Sequence, residues 1–102
     1  MKLKKVKIGI IGCGRVFEHY LKIFKKRKIR DYEIVAICEK KIPLLNMYSK
    51  KLHCMKFSNY QKMLKQLKNK IDLIIVLSPS GNHYEHSKLA LENNFNVLCE
   101  KP

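Results

Sequence analysis

The chain has 102 residues, of which 46% are hydrophobic, and 22 Lys plus Arg against 8 Asp plus Glu give it a formal net charge of +14. That apolar share is too high for a solvated tail, and three Pro with four Gly exclude collagen-like or linker-like sequence. No apolar run approaches the ~20 residues needed to span a bilayer, and the length holds one domain with a modest core.

Along the chain, Val6 to Ile11 is a short β-branched run that ends in Gly12-Cys13-Gly14, as a strand entering a tight turn does. From Val16 to about Lys28, apolar residues fall at Val16, Tyr20 and Ile23 and at Phe17, Leu21 and Phe24, which is helical spacing with a cationic opposite face. Glu33 to Cys38 reads as a second strand. Pro43 then suits the first turn of a helix carrying Leu44, Leu45, Met47 and Tyr48. Cys54 to Phe57 is a short third strand, and Ser58 or Asn59 caps a helix with Tyr60, Met63, Leu64 and Leu67. Asp72 to Leu77 is the most apolar run and lacks polar alternation, as expected of a strand buried on both faces. Ser78-Pro79-Ser80-Gly81-Asn82 breaks it. Tyr84 to Asn93 is helical, with Leu89, Ala90 and Leu91 toward a core, and Phe95 to Cys99 is a fifth strand. Strict alternation of strand and helix predicts an α/β domain over residues 1–102: a doubly wound, mostly parallel sheet of about five strands with helices on both faces, Rossmann-like.

Charge and cysteine narrow the partners. Only Arg15, Arg27 and Arg30 are arginines, and the lysines occupy polar positions of helical patterns. Readers of nucleic acid favour Arg for base contacts and add stacking aromatics. A nucleic-acid partner is therefore disfavoured, although the field attracts phosphorylated ligands. Cys13, Cys38, Cys54 and Cys99 form no C-x-x-C pair and read as reduced, buried thiols, with Cys13 in the turn the most exposed. The basic start, Met1 to Lys5, leads into a short apolar stretch that meets Gly12 and Arg15 with no cleavage site. The expected compartment is the cytoplasm, with no membrane partner.

The glycine turn carries the first chemical signal. A diphosphate needs backbone N–H groups aimed at it and no Cβ in the way. Gly12 permits the turn, Gly14 allows close approach, and the helix start supplies free N–H groups at the positive end of the dipole. A full G-x-G-x-x-G would put a third glycine at Phe17. The bulky ring there is expected to push the helix outward. Glu39, at the end of the second strand, suits the ribose hydroxyls of an adenosine and repels a 2′-phosphate, so NAD is expected, with NADP the alternative because Lys40 and Lys41 follow. His83 and His86 lie three apart and His19 is within reach of the turn, but ligand spacing is otherwise missing and no metal is expected. His53 reads as a surface residue.

Two further segments, Ser78-Pro79-Ser80-Gly81-Asn82-His83 and Glu100-Lys101-Pro102, also fall at the carboxyl ends of strands, where doubly wound sheets bind ligands. With Ile8 to Val16, Val35 to Glu39 and Phe57 to Tyr60, they make the chain resemble the amino-terminal domain of the Gfo/Idh/MocA oxidoreductases, relatives of glucose–fructose oxidoreductase and inositol dehydrogenase. The resemblance implies that Gly12, Cys13, Gly14, Arg15 and Val16 line the diphosphate and that Glu39 holds the adenosine ribose. It places Ser78, Pro79, Asn82 and His83 along the ribose and nicotinamide half. Glu100 joins the cofactor set, and Lys101 is the catalytic lysine that orients the reacting hydroxyl of a sugar, sugar nucleotide or polyol.

The family carries a larger substrate domain after Glu-Lys-Pro. The expectation is thus a cofactor-binding domain truncated before that domain, inactive alone or working with a separate substrate-domain chain, with oligomers open. The alternatives are a stand-alone non-catalytic dinucleotide module and, further off, a basic nucleic-acid binder.

Overall fold

The structure is a computed structural model that describes residues 5–26, 31–78 and 80–99. Strands β1 (Val6–Ile11), β2 (Tyr32–Cys38), β3 (Met55–Phe57), β4 (Leu73–Val76) and β5 (Val97–Cys99) alternate with helices α1 (Arg15–Lys26), α2 (Ile42–Leu52), α3 (Tyr60–Gln66) and α4 (Ser80–Glu92). The strands form one sheet in the order β3-β2-β1-β4-β5. Every pairing is parallel, with Ile10 beside Ile37 and Ile75 at the centre.

The continuous apolar strands are explained by two cores, one on each face. Alternate residues serve opposite sides. Ile8, Ile10, Ile37, Ile75 and Leu77 pack with Phe17, Leu45 and Tyr48 of α1 and α2. Ile11, Ala36, Cys38, Ile74 and Val76 pack with Met63, Leu64 and Ala90 of α3 and α4.

Local signals end the helices where the chemistry requires. Pro43 sits in the first turn of α2, where its missing N–H costs nothing. His53 closes α2 in the left-handed region at φ 52°. Asn59 caps α3, its side-chain oxygen accepting from the Lys62 N–H at 3.0 Å.

Several expectations are corrected. The Phe17 ring itself turns inward. It is fully buried and meets Tyr48 edge-on, with centroids 5.0 Å apart, so the residue standing in for the third glycine anchors α1 against α2. Val16 is 41% and Leu91 59% exposed, so neither faces a core. Helix α4 begins at Ser80 rather than Tyr84, because the Ser-Gly-Asn stretch winds into the helix instead of remaining a loop.

One polar atom on α4 is poorly served. Among the described residues the buried Ser87 Oγ has no hydrogen-bond partner. Ser87→Ala is expected to stabilise the domain by about 1 kcal/mol, since it removes an uncompensated desolvation cost and favours the helix. Thermal unfolding checks this, with a rise of about 4–8 °C in Tm expected.

Candidate functional site

In the strand order β3-β2-β1-β4-β5, chain connections diverge between β1 and β4, and a doubly wound sheet opens its ligand crevice outside the carboxyl ends of the strands at such a point. The glycine turn, Glu39 and Ser78 all stand there.

The turn leaves β1 through Gly12, whose N–H donates to the Cys38 carbonyl at 2.8 Å. Gly12 has φ +100°, and a Cβ on it would lie 2.5 Å from the Ser78 nitrogen and 2.7 Å from the Leu77 carbonyl carbon. The turn is therefore seated directly on the end of β4, and only glycine fits. Gly14 is the opposite case, since a Cβ there would meet nothing within 4 Å. Its outer side is open. The first ladder bond of α1 runs from the Glu18 N–H to the Gly14 carbonyl at 3.2 Å, so the amides of Gly14, Arg15 and Val16 precede the ladder and belong to the free N–H set at the positive end of the helix. A bare backbone corner with an open side and forward-facing amides is what an anionic diphosphate requires.

Glu39 ties this corner to the next strand. One carboxylate oxygen accepts from the Cys13 N–H at 2.8 Å and the other from the Lys41 N–H at 2.9 Å. The second bond satisfies the N–H of Lys41, the N-cap residue of α2, whose own side chain makes no cap bond. A carboxylate has about four lone-pair sites, so two remain for hydroxyl donors.

Beside Glu39 is a cavity of about 190 Å³, bounded by Ile11, Gly12 and Cys38 on the sheet side and by Lys40 and Lys41 on α2's approach. Ser58, Tyr60, Ser78 and His86 complete its wall. Tyr60 and His86 stack at a tilt, with ring centroids 4.2 Å apart. A larger hollow of about 560 Å³ lies at the other end of the sheet among Lys5, Lys7, Glu33, Asn69, Lys70 and Asp72. It opens at the amino ends of β1, β2 and β4, where parallel sheets do not place ligands.

Burial keeps the thiols of Cys13, Cys38 and Cys54 in their neutral form. Cys13, expected to be the most exposed, is instead completely buried, its sulfur 3.9 Å from the Cys38 carbonyl oxygen. Burial, reinforced by the nearby Glu39 carboxylate, pushes its ionisation far upward. Cys38 is pushed up to about 11 by burial with help from Glu39, and Cys54 to about 11 by burial. All three are free thiols, and a thiol that stays protonated is a poor nucleophile.

Of the expected residues, Gly12, Glu39 and Ser78 line the cavity, Cys13 joins them through its N–H bond to Glu39, and Gly14, Arg15 and Val16 follow in the same turn and helix start without lining it. Ser78 turns its hydroxyl inward to His86 at 2.7 Å, both residues being buried. Asn82 and His83 fall in the first turn of α4; their side chains, and the whole of Pro79, Glu100, Lys101 and Pro102, lie outside the described residues. Tyr60, Ser58 and His86 were not legible as site residues. Tyr60 reads as one more apolar helix position, and His86 stood out only for its spacing from His83. Among the described residues no group of three His, Cys, Asp or Glu is placed to hold a metal ion, and no helix is long and apolar enough to cross a membrane.

Comparison with known proteins agrees with this geometry. The chain is 32% identical over 103 aligned residues to a D-glucoside 3-dehydrogenase of Escherichia coli, covering 100% of this chain and 28% of that protein. The WlbA dehydrogenase of Bordetella pertussis, crystallised with NADH and UDP-GlcNAcA, superposes with a TM-score of 0.85 at 26% identity over 97% of this chain and 30% of its own. The scyllo-inositol dehydrogenase of Lactobacillus casei, with bound NAD(H) and scyllo-inositol, superposes with a TM-score of 0.83 at 29% identity over 97% of this chain and 28% of its own. The chain therefore spans less than a third of the length of these relatives. A model of the oxidoreductase family with an NAD-binding Rossmann fold matches residues 6–102, and the chain belongs to that family, the Gfo/Idh/MocA oxidoreductases, as its NAD-binding domain.

Proposed function

We propose that this domain holds NAD for the oxidation or reduction of a CH–OH group on a sugar, polyol or sugar nucleotide, acting with a substrate-binding domain of the kind its relatives carry. The observation that carries the cofactor reading is the Gly12–Gly14 corner, seated on β4, open at Gly14 and tied to Glu39 through the Cys13 N–H. The substrate class is supported by the relatives, which act on a glucoside or were crystallised with an inositol or a UDP-sugar.

In this assignment the backbone of Gly12, Cys13, Gly14, Arg15 and Val16 surrounds the diphosphate, and Arg15 adds a cation at the helix start. Glu39 takes the ribose hydroxyls with its remaining lone pairs. Ser78, Pro79, Asn82 and His83 follow the nicotinamide half, with Glu100 near it. Lys101 is assigned to the substrate hydroxyl, where an ammonium donates a hydrogen bond to the oxygen that becomes a carbonyl. The bound nicotinamide supplies hydride acceptance and return. The protonated thiols Cys13 and Cys38 suit a reducing compartment such as the cytoplasm. Oligomerisation is left to the substrate-binding part.

The test is Glu39→Ala, with NADH and NADPH titrated in parallel by fluorescence. Losing the brace on Cys13 weakens both cofactors, whereas losing the ribose acceptor and the repulsion of a 2′-phosphate acts on their ratio. The NADH-to-NADPH preference is expected to fall by about 10-fold or more, given that hydrogen bonds to charged groups contribute about 1.5–3 kcal/mol each. An unchanged ratio contradicts the ribose role.

A further inference from the structure

The Gly12 corner has no space of its own. It rests on the backbone of Leu77 and Ser78, where an added Cβ would come within 2.7 Å of three atoms. The height of the cofactor turn is therefore set by where the chain leaves β4. The Leu77 N–H still donates to the Ile11 carbonyl at 2.7 Å, but beyond it the sheet ladder has ended. What fixes Ser78 next is its side chain, whose Oγ lies 2.7 Å from His86 Nδ1. Both are buried, at 6% and 5% exposed. His86 is held in turn by α4 on one side and by the Tyr60 ring of α3 on the other, 4.2 Å between centroids.

We infer that His86 is a positioning residue for the cofactor turn, acting through Ser78. The imidazole links α3 and α4 to the residue on which Gly12 sits, so the carboxyl end of β4 cannot sink or swing when the crevice is filled. The inference rests on the NAD assignment for its consequence on binding, but not for the mechanical coupling itself. A serine hydroxyl either donates or accepts, so either neutral tautomer of His86 sustains the bond. A histidine that merely filled space would be replaced by leucine at little local cost.

The experiment is amide hydrogen exchange on the cofactor-free chain, followed by NADH titration. The variants are His86→Leu, His86→Asn, Ser78→Ala and the His86→Leu/Ser78→Ala double. In His86→Leu, exchange at Gly12, Cys13 and Leu77 is expected to rise about tenfold while Ile8 and Ala36, farther along the sheet, stay within about twofold. His86→Asn keeps a hydrogen-bonding group near the Nδ1 position and is expected to recover most of the protection. Ser78→Ala should reproduce the rise at the turn amides, and the double variant should go no further there than His86→Leu, because the Ser78–His86 bond is already absent in that variant. NADH affinity should fall in parallel. The inference is overturned if the turn amides in His86→Leu exchange as in the parent, if the increase is uniform across the sheet, or if the single effects multiply. Should His86→Leu not fold, Ser78→Ala decides alone, since unchanged exchange at Gly12 and Cys13 overturns the coupling. Exchange is read without cofactor, so a parent chain that ignores NADH refutes the dinucleotide assignment and leaves the coupling to stand or fall on the amides.

Discussion

Gly12→Ala is expected to destabilise the domain by on the order of 3 kcal/mol or more, a large part of the roughly 5–15 kcal/mol typical of domains. Two causes add. An L-residue at φ +100° is strained by its own Cβ. That Cβ would also lie 2.5 Å from the Ser78 nitrogen and 2.7 Å from two neighbouring backbone carbons. None of these atoms is the loose end of a side chain. They belong to a buried backbone whose neighbours, Val76 and Leu77, are locked in the two cores. Urea unfolding measures the loss. A midpoint change equivalent to less than about 1 kcal/mol would show that β4 yields to the turn, contrary to the close seating described.

Gly14→Val is the complementary case, with a large effect on binding and a small one on stability. The position has no positive φ, and its Cβ direction is empty for 4 Å. Valine is therefore accommodated by the fold, and unfolding is expected to move by no more than about 1 kcal/mol. The cost falls on the ligand. The open side of Gly14 is where the helix-start amides are reachable, and an isopropyl group there occupies the approach of the diphosphate. NADH affinity is expected to drop by about 100-fold or more, the scale on which loss of several charge-assisted hydrogen bonds acts. The paired measurement, unfolding and NADH titration on the same variant, distinguishes a ligand-facing glycine from a folding one. Binding retained within a few-fold would mean the corner is only a turn.

Much of this architecture was written in local pattern. The run Leu73–Val76 lacks polar alternation because residues on both its faces are buried, Ile74 and Val76 on one and Ile75 and Leu77 on the other. Asn59 announced the start of α3 because a short side-chain oxygen reaches the third N–H of a helix. The glycines and Glu39 were recognisable because their chemistry is tied to position at strand ends.

What was misjudged depends on residues far apart in the chain. What the Phe17 ring packs against is decided by Tyr48. The burial of Cys13 is decided by the core it joins, with Phe17, Ile37, Leu45 and Tyr48, and by the Cys38 carbonyl 3.9 Å from its sulfur. Periodicity alone put Val16 and Leu91 inward, but a helix stripe is wider on paper than the strip that meets the sheet. His86 carries no motif, and its pairing with Ser78 exists only once α4 has folded back against the end of β4.

The dinucleotide assignment is tested most directly by recording backbone amide resonances of the chain during an NADH titration. Saturable shifts that are largest at Gly12 to Val16 and at Glu39, and small around Lys7 and Asp72 at the amino ends of the strands, are the predicted outcome. Shifts centred on the Lys7 and Asp72 hollow, or none at saturating NADH, would contradict it.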